Sequence, residues 1–426
     1  MRFHVLGLGP IGTLISHHLC KTLDATRHTV VLIHKNAQQV KKADWARNIL
    51  KVERDGVVDT STAFRSEVFE AKTQLRYEKR LARRIARETI NSENEGVVDL
   101  KSKAEDIREN LLQHTLLPIE SLIVAIKAYR VVDVVRALVP RLSPTSTIVL
   151  LHNGMGVYEQ LVEDVFRNPE QRPHFIVASN DHGAWSKGYF HTIHAGVGSI
   201  AFGIVADPRG RNFESSVAET DIPIQERVLS LDNIMPSQEG DYSPYRSLRN
   251  TVAALSNLSG LNAVWKPISQ IEIAMKRKLV VNSAVNALTA LLGCRNGELL
   301  ESEESKKIIK RVCFEAARAF AMQAQAESWD NQEKQVWARA GFSRVSPALS
   351  ARALEEECLR VIKVTAGNIS SMLSDVQAGS YTEIDYMNGY LVGLGRSFGL
   401  PMTTTTTLLN LVKLRTSIPL DRLFYK

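Results

Sequence analysis

An apolar run at residues 3–6 feeds straight into Gly7-Leu8-Gly9-Pro10-Ile11-Gly12 and then into a helical pattern over residues 13–23. Strand, glycine turn and helix in that order leave few folds open. They are the context of the dinucleotide fingerprint at the start of a Rossmann-like α/β domain. In that reading Gly7 makes the tight turn, Gly9 lets a pyrophosphate approach the backbone, and Gly12 lets the helix pack closely. Pro10 suits a first helical turn, where its missing N–H costs nothing. The free N–H groups of that turn favour phosphate. A plain glycine-rich turn could carry the same six residues, so the rest of the chain has to decide.

A second strand, residues 29–33, ends in His34-Lys35-Asn36. NAD-selective folds place Asp or Glu near this point to hold the ribose hydroxyls. None is present, and Lys35 offers a cation to a 2′-phosphate instead, which favours NADPH over NADH. The bland alternative is a surface lysine after a strand. Residues 121–126 read as a buried strand ending in Lys127, and residues 147–151 as another ending in His152-Asn153-Gly154. Ligands of open α/β sheets bind at the carboxyl ends of strands. Lys127 is therefore a candidate anion or cofactor contact, and Asn153 a candidate for the nicotinamide side or the substrate; each could equally cap a loop. Residues 175–179 and 198–204 read as later strands of the same sheet. His191 and His194 point to opposite faces of an extended segment, which argues against a metal site.

At 426 residues the chain should form at least two domains. We expect a Rossmann-like NADP-binding domain over residues 1–265 and an all-α substrate domain over residues 266–426. Two insertions are expected in the first, at about 38–114 and 207–249. Within the former, residues 64–90 are highly charged and helical in propensity, with Arg76, Lys79, Arg80, Arg83, Arg84 and Arg87 crowded together. This basic stretch is either a solvated excursion or a docking surface; it lacks the clustered aromatics that single-strand binding favours, so nucleic acid is not the favoured partner. Residues 207–249 read as a long flexible loop. The net charge of +7 is compatible with an anionic ligand. Four cysteines without a CxxC pair fit a reducing compartment with no structural zinc. No apolar run is long enough to span a bilayer. The first strand begins at residue 2 or 3, with no presequence ahead of it; a cytoplasmic location is expected, with the mitochondrion as alternative.

Residues 275–299 carry the most informative stretch, MKRKLVVNSAVNALTALLGCRNGEL. Lys278, Asn282 and Asn286 recur at i, i+4 and i+8 on one stripe of an otherwise apolar helix. Buried Asn is costly unless hydrogen-bonded. The stripe is either a solvated edge or one wall of a small-molecule cleft, about 12 Å long. Hydride transfer to a ketone leaves an alkoxide, which needs a cation and then a proton. A lysine supplies both if burial or cationic neighbours lower its pKa, and Lys276 and Arg277 adjoin Lys278 in sequence. After the stripe, residues 301–327, 347–364 and 402–415 have helical periodicity. Ser380 and Glu383 have the spacing of a capping box, although a carboxylate there could do more than cap.

Five separated patches in one order make the chain resemble the ketopantoate reductase family, in a fungal-type form with long insertions. They are GLGPIG from Gly7, IKAYR around Lys127, HNGMG from His152, KLVVNSAVNALTALLGCRNGEL from Lys278, and SSMLSDVQAGSYTEIDYMNGY from Ser370. The resemblance implies an NADPH-dependent oxidoreductase that reduces 2-ketopantoate to pantoate in pantothenate biosynthesis. By matched position Lys278 is the general acid. Asn282, Asn286, Asn296 and Ser371 hold the ketoacid carboxylate and hydroxyl, and Asn153 touches cofactor and substrate. Glu383 contacts the nicotinamide-side ribose and helps position the lysine. Gly7, Leu8, Gly9, Pro10, Ile11 and Gly12 cradle the pyrophosphate, with Lys35 and Lys127 at the adenosine phosphate end. The implied partners are a small 2-ketoacid and a second copy of the chain, without metal. Lys35 stands where the family often has arginine, and His152 where it often has glutamine. These departures leave open another short 2-ketoacid as substrate. A 3-hydroxyacid-type dehydrogenase and a non-catalytic scaffold remain as rivals, but the retained Lys278, Asn282 and Asn286 weigh against both.

Overall fold

The computed structural model describes residues 1–69, 117–218, 228–236, 239, 243–329 and 346–418. Most of the basic stretch, parts of 207–249, and residues 330–345 near Trp329 lie outside them. By their contacts the residues form two units. The first is Met1–Ile126, Val131–His152 and Val162–Ile268; the second is Lys127–Arg130, Asn153–Leu161 and Ser269–Lys426.

The first unit is built on strands that are mostly apolar. β1 (Arg2–Leu6), β2 (Thr29–His34), β6 (Ser121–Val124), β7 (Thr147–Leu150) and β8 (His174–Asn180) are buried along nearly their whole length. That is the signature of parallel strands covered on both faces. With β5 (Phe64–Val68), β11 (Ile200–Ile204) and β12 (Ala263–Trp265) they form an eight-stranded sheet in the order β12-β11-β8-β7-β6-β1-β2-β5. The six strands from β5 to β8 are all parallel and run 3-2-1-4-5-6 in chain order, the doubly wound arrangement of a dinucleotide-binding domain. β11 lies antiparallel on β8.

Three expectations need correction. Residues 38–69 are not an excursion: they form α2 (Ala37–Trp45), β3 (Leu50–Arg54), β4 (Val57–Ser61) and β5. Residues 64–68 are an edge strand rather than the start of a charged helix, because β5 pairs in register with β2 from Val30↔Phe64 to His34↔Val68. Its buried Glu67 is neutralised by the Arg141 guanidinium. The region 207–249 is not one long loop either. It contains helices Ser215–Ala218 and Leu231–Ile234 and the first turn of the helix Arg246–Ser256, and its ends are tied by Tyr245 Oη donating to the buried Asp207 carboxylate at 2.7 Å.

A second sheet, β4-β3-β10-β9, was not anticipated; it joins β3 and β4 to β9 (Gly183–Gly188) and β10 (His191–Gly196). The β3–β4 hairpin turns at Asp55 (φ 51°) and Gly56 (φ 80°), an Asp-Gly turn whose two positive φ values suit the strand twist. Helix α1 (Pro10–Thr22) touches both sheets, so even its polar residues Thr13, Ser16 and His17 are buried.

The second unit is helical. In the helix Glu303–Trp329, the residues Ile309, Val312, Cys313, Ala316 and Phe320 recur at helical spacing and enter its core. Cys313 and Cys358, well separated in sequence, meet there as buried free thiols with Sγ atoms 3.7 Å apart. The buried Glu315 carboxylate accepts from the Thr404 and Thr405 amides and the Thr405 hydroxyl, capping the helix Thr403–Ser417 from a different element.

Candidate functional site

In the first unit the glycine turn is as tight as its sequence implies. Gly7 has φ 101°, and a Cβ there would stand 2.6 Å from the Ala125 carbonyl oxygen. A Cβ at Gly12 would stand 1.7 Å from the Gly7 carbonyl oxygen, so its close contact is with the turn itself. At Gly9 the equivalent space is open, and this N-cap residue makes no side-chain cap bond. The open turn, the helix N-terminus and the parallel strand order fit a dinucleotide pyrophosphate. Leu8, Pro10 and Ile11 lie on the same turn, with Pro10 as the first residue of α1. Lys35 follows β2 with an exposed side chain, and the Asn36 side chain caps α2. No acidic residue stands at this strand end.

In the second unit the polar stripe begins on the helix Ile268–Val281. It passes through a π-helical segment, Asn282–Asn286, before the helix Ala287–Leu292. The expected continuous α-helix is therefore interrupted at the two asparagines. Lys278, Asn282 and Asn286 are half-buried among buried neighbours, and Asn286 Nδ2 donates to Asn282 Oδ1 at 3.3 Å. Lys276 and Arg277 each meet a group elsewhere in the unit. Arg277 pairs with Glu357 at 3.0 Å, and the Lys276 ammonium lies 5.5 Å from the Phe320 ring centre.

Two elements pack on the stripe. Ser370 Oγ accepts from Thr289 Oγ1 at 2.8 Å and from the Leu373 amide at 3.1 Å, so Ser370 is the cap of helix Ser371–Gln377. Ser371 opens that helix with an exposed side chain. Asn296 is buried; its Nδ2 donates to Thr365 Oγ1 at 2.9 Å, and its Oδ1 has no partner among the described residues. That spare acceptor suits a ligand hydroxyl.

Glu383 corrects the capping-box expectation. It does not cap its own segment, where Ile384–Tyr386 is a short 3₁₀ turn without a side-chain cap. Instead its carboxylate, 4% exposed, accepts from the Ala128 amide at 2.9 Å. Ala128 opens the helix Ala128–Leu138, so Glu383 caps a helix far away in sequence. Lys127 meets the same carboxylate: its ammonium lies 2.6 Å from Asp375 Oδ2 and 3.5 Å from Glu383 Oε2. Burial works against that ammonium, but the Glu383 and Asp375 carboxylates outweigh it and hold its pKa above the ordinary lysine value. For Asp375, burial dominates and raises the carboxyl pKa against the pull of Lys127. Asp375 was missed because nothing in the sequence links it to a lysine 248 positions earlier. Asn153 belongs to the same unit through the segment Asn153–Leu161, where the Met155 amide donates to the Tyr386 carbonyl at 2.9 Å.

Among the described residues no group of three or more His, Cys, Asp or Glu could hold a metal, and no helix is long and apolar enough to cross a membrane.

The family description Ketopantoate reductase PanE/ApbA matches residues 3–207, and Ketopantoate reductase PanE/ApbA C terminal matches residues 270–416. The chain is 32% identical to the 2-dehydropantoate 2-reductase of Salmonella typhimurium over 298 residues, covering 70% of this chain and 75% of that one. It is 24% identical over 413 residues to the probable 2-dehydropantoate 2-reductase of Schizosaccharomyces pombe, covering 97% and 95%. Among solved structures, a PanE/ApbA family ketopantoate reductase from Ralstonia eutropha superposes with TM-score 0.59 at 16% identity, covering 98% of this chain and 99% of that one. D-mandelate dehydrogenase with NADH and anilino(oxo)acetate superposes with TM-score 0.62 at 16% identity, covering 98% of each.

Proposed function

We infer that this chain, which belongs to the ketopantoate reductase family, reduces 2-dehydropantoate (2-ketopantoate) to pantoate with NADPH, on the route to pantothenate and coenzyme A. The observation that carries this reading is the half-buried stripe of Lys278, Asn282 and Asn286: one cation and two amides in a largely apolar wall.

Bound NADPH supplies the hydride that adds to the ketone carbon. The chain's own groups do the rest. The Lys278 ammonium stabilises the negative charge growing on the ketone oxygen and then gives it a proton. Asn282 and Asn286 offer amide donors and acceptors to the substrate carboxylate and hydroxyl, with Asn296 Oδ1 as a further acceptor. Ser371 adds a hydroxyl beside the backbone N–H groups of a helix N-terminus. Asn153 contacts substrate and cofactor. Glu383 has acceptor capacity left for a ribose hydroxyl, because a carboxylate accepts about four hydrogen bonds and two partners are in place here. Lys127 then serves by fixing Glu383 rather than by holding phosphate. Lys35 provides the 2′-phosphate contact.

Steady-state NADPH oxidation with 2-ketopantoate tests this, with pyruvate and 2-ketoisovalerate as competitors. Lys278→Ala should lower kcat by about a hundred- to ten-thousandfold with NADPH affinity nearly unchanged. Activity should fall at high pH as the ammonium deprotonates, and that limb should vanish in the variant. A Lys278→Ala enzyme that keeps most of its turnover would refute the assignment of the acid. No oxidation above background with 2-ketopantoate would refute the substrate.

A further inference from the structure

The π-helical segment coincides with the two stripe asparagines, and one side chain from another element meets it. Asn388, at the start of the helix Asn388–Ser397, is completely buried, and its Nδ2 donates to the Ser283 carbonyl at 3.0 Å. A carbonyl can only accept, so the amide must present its nitrogen here. A π turn breaks the regular i→i+4 ladder, and a side chain from outside can bond to the backbone it disturbs.

The geometric consequence is specific. In an uninterrupted α-helix each i+4 step overshoots a full turn by about 40°, so Lys278 and Asn286 would diverge by about 80°. At a side-chain radius of about 5 Å that is a displacement of about 6 Å. The i→i+5 rings of a π segment wind less, roughly 80° per residue, so the step from Asn282 to Asn286 falls short by about 40°. The shortfall cancels the overshoot between Lys278 and Asn282. Lys278 and Asn286 are thereby brought back into line, and the two asparagine amides stay in hydrogen-bond reach.

We propose that Asn388 is a positioning residue for the ketoacid: by donating to the Ser283 carbonyl it holds the π turn that aligns Asn286 with Lys278. The assignment rests on the reductase reading above for its substrate, and on the hydrogen bond and helix geometry for its action. Asn388 itself touches no reacting group.

The test is a double-substitution cycle on the full chain, read in steady-state kinetics with NADPH and 2-ketopantoate. Asn388→Leu keeps the side chain's size and removes the donor. It should raise the KM for the ketoacid about tenfold or more, with a smaller change in kcat and little change in the KM for NADPH. In an Asn286→Ala background the same substitution should add less than about threefold, because the residue it positions is gone. A purely structural loss would multiply instead, and multiplicative effects would overturn the proposal. Thr405→Val serves as the comparison: it removes a buried hydroxyl bond to Glu315 elsewhere in the same unit, and should lower the melting temperature without moving the ketoacid KM. Equal KM shifts in both variants would also overturn the proposal. Hydrogen exchange of residues 279–292 gives a readout independent of activity. Asn388→Leu should speed exchange there more than in the helix Thr403–Ser417, and unchanged exchange would count against the assignment even in an active enzyme. If the unmodified chain turned over no 2-ketoacid, the reductase reading would fail, while the exchange result would still decide whether Asn388 holds the turn.

Discussion

Replacing Glu383 should separate its structural task from its chemical one. Its carboxylate accepts from the Ala128 amide at 2.9 Å and lies 3.5 Å from the Lys127 ammonium. Glu383→Ala removes a helix cap, typically about 1 kcal/mol, and leaves the buried Ala128 N–H without its acceptor. Breaking a fully buried ion pair costs about 3–5 kcal/mol. Here Lys127 keeps Asp375 at 2.6 Å and is 35% exposed, so the ion-pair part should shrink to about 1 kcal/mol. Asp375 softens the loss further. The Glu383 charge helps to raise its pKa, so removing that charge lets Asp375 ionise more readily beside the lysine. The total for Glu383→Ala is about 2 kcal/mol, and for Glu383→Gln about 1 kcal/mol, since the amide oxygen still caps the helix. Urea unfolding followed by far-UV circular dichroism, with the slope m checked for constancy, measures both. Both variants should also lose turnover, Glu383→Gln by more than its stability change explains. Equal destabilisation by Ala and Gln would refute the capping role. Full activity in Glu383→Gln would refute the chemical one.

Other substitutions probe the first unit. Lys35→Glu should raise the KM for NADPH far more than that for NADH, measured with both cofactors at saturating ketoacid; equal use of the two by the unmodified chain would contradict the NADPH reading. Acid should destabilise this unit early. Burial lowers the pKa of His4 to about 3 and that of His34 to about 4, against an ordinary 6.5. Because the folded values are depressed, their contribution is full above about pH 6.5 and is lost as pH falls toward 4, on the order of 3 kcal/mol each by pH 4. Urea midpoints at pH 7, 5.5 and 4 should show the fall, and a flat profile would contradict it. Replacing residues 70–116 with a short linker, which spares β5, should leave the reductase rate within a few-fold, since each doubling of loop length costs only about 0.6 kcal/mol; unfolding would show that the segment is part of the fold.

Much of the first unit was legible because its signals are local. The run into GLGPIG, the largely apolar strands and the missing acid after β2 each sit within a few residues. The errors came where partners are distant. Ser380 and Glu383 have the spacing of a capping box, yet the amide that Glu383 serves belongs to Ala128. Charged residues around Phe64 suggest a solvated helix, but an edge strand tolerates charge on one side and buries Glu67 against Arg141 on the other. The Asp55-Gly56 pair was a readable hairpin signal that passed unused. The π turn had no such signal, since Asn282 to Asn286 read equally well as ordinary helix. Lys127 was found by its place at a strand end, but its carboxylate partners Asp375 and Glu383 were not.

The second sheet has a consequence for how the chain emerges during synthesis. β3 and β4 are made early, but β3 pairs with β10, Lys51 beside His191. At roughly 5–20 residues per second a ribosome takes on the order of ten seconds to cover that interval. Throughout it the nascent α1 lacks the cover that β9 and β10 later provide, and apolar and histidine-bearing surface stays open to passing chaperones. A non-local closure of this kind is slow in its own right. Ribosome-stalled chains in which β10 is still inside the exit tunnel should therefore differ sharply in the protease sensitivity of α1 from longer chains in which β10 has cleared it, with protection arriving in one step.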